Sequence, residues 1–240
     1  MSGKLRLASF LVAFFSVTVL AQTAGDAVSV DPVVHNVIID NEFIRVFDAR
    51  ASRGTMSPMH SHPPTFVVSV GKARLRMKAP DGNTSLFDVN PGMALWIEGV
   101  QHSWEVLAGE LHAIGVEIKS ALNAEPPLAP TAAQRRGDAV SVDPDVHHVF
   151  FENPHLRVFE GRASRGMRSP MHKHPPSLVV SLDWMRMKST GPDGKTSILD
   201  FSPGMVLWMG DGLTHSWECL AGNGRAIVIE VKAAQAAMKP

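Results

Sequence analysis

The stretches SPMHSHPP (residues 57–64) and SPMHKHPP (residues 169–176) each hold a His-x-His pair, His60 with His62 and His172 with His174. Residues two apart on a strand project to the same face, so each pair presents two imidazoles side by side. Farther along, HSWEVLAG (102–109) and HSWECLAG (215–222) open with His102 and His215. Each half of the chain thus carries three histidines whose spacing predicts a metal pocket completed from a facing strand.

The sequence is written twice. GDAVSVDP at 25–32 returns at 137–144, a shift of 112 positions, which is too long for a solenoid unit and suits a small domain. The register holds through ASRG (51–54 and 163–166), PDG (80–82 and 192–194) and PGM (91–93 and 203–205). It slips by one residue before the third histidine, where WIEGVQH faces WMGDGLTH. Residues 120–136, SALNAEPPLAPTAAQRR, are rich in Ala and Pro and lack β-type alternation. They read as a linker that leaves the copies free to pack together or to stand apart. The expected organisation is a leader over 1–21, a first domain over 25–119, the linker, and a second domain over 137–234.

Lys4 and Arg6 precede an apolar run over 7–20, and small residues near Ala21 offer a cleavage site. The run is shorter than the roughly 20 residues a bilayer-spanning helix needs, so the segment reads as a secretory signal peptide. The mature protein is then secreted or periplasmic, with no membrane partner after cleavage. Removing Lys4 and Arg6 leaves 21 basic residues against 23 acidic ones, a formal charge of −2. No concentrated basic face is visible, which argues against a nucleic-acid partner. Cys219 is the sole cysteine, so stability rests on packing rather than disulfides, and this thiol reads as a small core residue.

Within each copy the signals are short, β-type and evenly punctuated by turns, over 33–39, 43–48, 66–70, 74–78, 84–89, 94–97 and 111–119 in the first. Helical periodicity is almost absent. The expected fold class is all-β, with a sandwich or small barrel in each copy.

These residues resemble the two motifs of the cupins, jelly-roll β-barrels with a metal site inside. Gly54, His60 and His62 keep the spacing of the first motif, as do Gly166, His172 and His174. Gly204, Gly212 and His215 keep the intervals of the second, with Gly210 where proline is usual and Cys219 where asparagine is usual. In the first copy Gly92 to His102 is one residue short, and Glu98 replaces the proline. The resemblance covers nearly all of both repeats and implies a bicupin of two tandem jelly-roll barrels. It also implies sheets that pair, either within one chain or in a homo-oligomer.

One departure matters. The glutamate of the first motif is missing: Phe66 or Val67, and Leu178 or Val179, hold its place. The resemblance therefore implies metal held by His60, His62 and His102, and by His172, His174 and His215, without a carboxylate, so that an anionic substrate supplies the balancing charge. Facial nitrogen ligation leaves positions open. Imidazole accepts several divalent transition metals: the resemblance to three-histidine cupin dioxygenases puts iron first for an enzyme, with zinc, copper, nickel and manganese open.

Other residues carry plainer readings. Met59 and Met171 alternate away from the histidines and read as packing. His35 and His147 read as structural, His112, His148 and His155 as surface or interface residues, and Trp96 and Trp208 as core. Glu117 and Glu230 on the last strand are candidate substitute ligands. Two function classes follow: a metal-dependent dioxygenase acting on a small anionic organic substrate, or a non-catalytic bicupin that binds a small molecule or a metal.

Overall fold

The structure, a computed structural model, describes residues 24–122 and 129–238. The expected leader and part of the linker lie outside the described residues. The first copy forms β1 (His35–Asp40), β2 (Ile44–Ser52), β3 (Met56–His62), β4 (Thr65–Ser69), β5 (Lys72–Lys78), β6 (Thr84–Val89), β7 (Ala94–Ile97) and β8 (Val100–Ile118). The second repeats it as β9 (His147–Glu152), β10 (Leu156–Ser164), β11 (Arg168–His174), β12 (Ser177–Ser181), β13 (Met185–Thr190), β14 (Thr196–Phe201), β15 (Val206–Met209) and β16 (Leu213–Val231). The architecture is all-β, two tandem jelly-roll barrels.

The long strands β8 and β16 set the topology. The first part of β8 pairs with β3 and β5, and its second part with β2 and β4, so one strand serves both sheets of a sandwich. Strand β16 does the same with β11 and β13, then β10 and β12. The changeover falls at Gly109 (φ +75°) and Gly222 (φ +84°). A Cβ there would stand 2.1 Å from the Lys72 carbonyl oxygen, or 2.5 Å from that of Trp184. Only glycine takes both this backbone conformation and this approach. The sequence pattern starts the final strand at residue 111, whereas Gly109 bends a continuous ladder that begins at Val100.

Alternation along the strands then divides the apolar residues between two kinds of core. Phe47, Val67 and Val106 face the first barrel interior, and Phe159, Val179 and Cys219 the second. The opposite faces form one shared cluster, with Phe66, Val68, Ile114 and Val116 from the first copy against Leu178, Val180 and Ile229 from the second. The two copies therefore pack face to face, which settles the arrangement that the linker left open. Phe66 lies 5.5 Å from Phe151 between ring centroids, and Trp96 stacks on His155 at 6.5 Å. Gly204, in the second PGM turn, leaves room for the His112 ring of the first copy, and Gly92 faces Arg225 and Leu182 of the second. His112 and His155 are thus interface residues, while His148 is exposed. Cys219 is buried, and burial raises its thiol pKa. No helix among the described residues is long and apolar enough to cross a membrane.

Two expectations follow from this packing. Because the copies share a core, calorimetry should show one cooperative unfolding transition, and two well-separated transitions would refute a shared core. Gly109→Ala should cost more than the roughly 1–2 kcal/mol of a left-handed backbone alone. Gly82, at φ +89° with nothing within 4 Å of a Cβ, should cost only that strain on the same change. Equal losses in chemical denaturation would show that the bend is not closed on the Lys72 carbonyl.

Candidate metal centre

Strand pairing brings the predicted histidines together. His60 stands opposite His102 in the β3–β8 ladder, and His172 opposite His215 in the β11–β16 ladder. The register of each ladder slips just before the first histidine, an irregularity of the kind that re-aims a side chain. Within it the Pro58 carbonyl accepts a hydrogen bond from His60 Nδ1 at 2.7 Å, and the Pro170 carbonyl one from His172 Nδ1 at 2.8 Å.

Those bonds fix the tautomer. A carbonyl can only accept, so the proton sits on Nδ1 and Nε2 is left with a lone pair. His60 Nε2 lies 3.1 Å from His62 Nε2 and 3.0 Å from His102 Nε2. In the second copy His172 Nε2 lies 3.0 Å from His174 Nε2. His215 packs 4.8 Å from His172 and 5.4 Å from His174 between ring centroids. The His215 Nδ1 meets the Ser189 hydroxyl at 2.9 Å, and its Nε2 is buried without a hydrogen-bond partner.

Nitrogens this close need a proton or a cation between them, and protonation is disfavoured. Burial, followed by the neighbouring imidazoles, lowers His60 and His215 to about 4. The same causes hold His102 and His174 well below the usual histidine value. A divalent metal fits the donor set. With metal–nitrogen bonds of about 2.1 Å, ligands about 90° apart stand about 3.0 Å from each other, and tetrahedral ones about 3.4 Å. The observed spacing matches neighbouring positions of an octahedral or square-planar centre.

A further histidine closes on each His-x-His pair, in a group that does not take in His102 or His215. His35 and His147, read from the sequence as structural, place donor atoms within 4.8 Å of those of His60 and His62, and of His172 and His174. The available signal was the repeated histidine three residues beyond each GDAVSVDP segment.

Glu117 and Glu230 stand behind the imidazoles. Glu117 Oε1 lies 3.6 Å from His62 Nδ1, and its other oxygen accepts from Arg45. Both oxygens of Glu230 accept from Arg157, which also pairs with Asp138. Phe47 stacks on His62 at 5.5 Å and Phe159 on His174 at 6.0 Å, forming apolar walls. Met171 is 43% exposed beside a His172 that is 2% exposed, so alternation separates them but leaves the methionine at the surface rather than packed. Val67 and Val179, where the resemblance expects a carboxylate, belong to the barrel interiors.

Solved structures repeat this architecture. A tryptophan-to-tyrosine variant of oxalate decarboxylase from Bacillus subtilis is 12% identical over 88% of this chain and 74% of its own, with a TM-score of 0.51. The chain folds as a bicupin. A second oxalate decarboxylase structure has the same coverage and TM-score at 13% identity. A cupin 2 conserved barrel domain protein from Leptotrichia buccalis is 16% identical over 83% of this chain and 88% of its own, with a TM-score of 0.49. No protein-family model and no curated protein matches the sequence.

The lowered histidine values carry a pH dependence. The unfolded bicupin takes up protons near pH 6.5, whereas His60 and His215 in the fold resist until about 4. Stability of the metal-free protein is then fully present above pH 6.5 and declines as the pH falls toward 4. Thermal unfolding of chelator-treated protein should show this decline, and a His60→Gln, His215→Gln variant should show less of it. Identical pH profiles would refute the assignment.

Proposed function

We propose that this bicupin is an exported protein that holds a divalent transition metal, iron in the first place, in each barrel and acts as a dioxygenase on a small anionic organic substrate. The observation that carries the metal reading is the meeting of His60, His62 and His102 through Nε2 atoms at 3.0–3.1 Å. A bound metal would supply Lewis acidity and redox chemistry. The chain's own part is to aim neutral imidazoles from one side and to wall the site with Phe47 and Phe159. With no carboxylate in the predicted ligand set, an anionic substrate supports charge balance.

A second reading, a non-catalytic binding protein, is favoured by one feature. Arg157 holds both oxygens of Glu230, the carboxylate behind the second cluster, so Glu230 is no free general acid or base there.

Elemental analysis of untagged protein tests the metal reading. One metal per intact triad is expected, lost from its own barrel in His60→Ala, His62→Ala and in His172→Ala, His174→Ala. Wild-type protein that refuses added iron, copper, nickel and zinc would sink it. Oxygen uptake with thiols, diketones and phenols should follow loading, and loaded protein that consumes none supports the binding reading. Oxalate joins the panel because the fold is shared with an oxalate decarboxylase. Export is checked separately: the intact mass of protein from the periplasm or medium should correspond to a chain starting at Gln22.

A further inference from the structure

We infer that His35 and His147 are fourth metal ligands, so that each barrel offers four imidazoles in place of the usual three with a carboxylate. The inference rests on the metal-binding reading above and adds ligands that the histidine motifs do not contain. Both residues are buried, at 3% and 5% exposure. The His35 ring lies 4.9 Å from that of His60 and 5.3 Å from that of His62, and His147 lies 5.1 Å from His172 and 6.0 Å from His174.

The tautomer is set as it is for the motif histidines. His35 Nδ1 donates to the Asp31 carbonyl at 3.1 Å, and His147 Nδ1 to the Asp143 carbonyl at 3.0 Å. Each Nε2 therefore keeps its lone pair for a metal. A buried imidazole held this way in both copies is a donor whose orientation is fixed before any ion arrives.

The segment that delivers these residues is anchored to the strand that carries the His-x-His pair. The short helical turns Ala27–Val30 and Ala139–Val142 are capped by Asp26 and Asp138, whose carboxylates also reach Arg45 and Arg157. Ser61, between His60 and His62, donates its backbone N–H to the Gly25 carbonyl at 2.8 Å, and Lys173 does the same to Gly137 at 2.9 Å. Ser57 donates to the Asp31 carboxylate at 2.7 Å. The repeated GDAVSVDP motif thus acts as a bracket that sets the fourth histidine against the other three.

The chemical consequence is a dication bound by neutral nitrogens alone. An all-imidazole set suits iron, nickel, copper and zinc better than manganese or magnesium, and it leaves the ion's charge to an anionic ligand at the remaining positions.

Cu(II) bound to the full chain is the probe. Pulsed EPR counts coordinated imidazoles, and chelator competition measures affinity. Four imidazoles per copper are expected in the wild type. His35→Ala should reduce the count to three in one site and weaken that site by at least about tenfold, and His147→Ala should do so in the other. Three imidazoles in the wild type, or unchanged counts and affinities in both variants, would overturn the inference while leaving the metal reading intact. A wild-type protein that binds no copper would overturn both. The wild-type count needs no variant, so the test stands even if a substitution prevents folding.

Discussion

The constraint on which the rest depends is the outward hydrogen bond of the imidazole Nδ1. His35, His60, His147 and His172 give that proton to backbone carbonyls, and His215 meets a serine hydroxyl. Lone pairs then converge inside the barrels, an arrangement that is repulsive without a cation. Strand register and interior packing hold it in place. Binding an ion to the folded state alone relieves that repulsion and stabilises the fold by mass action.

The walls that hold the imidazoles come from duplication. Each barrel uses one face of its central strands for the interior and the other for the second copy, so the shared core braces both sites at once. Behind the sites, arginine–carboxylate groups link the leading turn, the second strand and the last strand of each copy. Breaking one partner of such a group leaves an uncompensated charge, which costs more where the group is buried than an exposed pair would.

The two sites are not identical. In the first, Glu117 keeps one oxygen near His62 Nδ1. In the second, Arg157 takes both oxygens of Glu230, and His174 Nδ1 has no partner among the described residues. The copies therefore differ in what stands behind their imidazoles despite matching histidines, a carboxylate oxygen 3.6 Å from His62 Nδ1 in the first and an arginine-held carboxylate in the second.

The sequence by itself determined the duplication, the β-rich class and the histidine pairs, because these depend on local periodicity: a repeat can be counted, and alternation on a strand places His60 beside His62 wherever the strand lies. Tertiary structure alone decided three other features. It showed that β8 runs unbroken through Gly109, since a glycine signals a break or a bend alike until its neighbours are known. It joined the two copies through a common core, since an apolar face does not name its partner. It also brought His35 and His147 into the clusters, because their placement depends on a capped turn clamped to a strand some 25 positions away, a contact that no local pattern encodes.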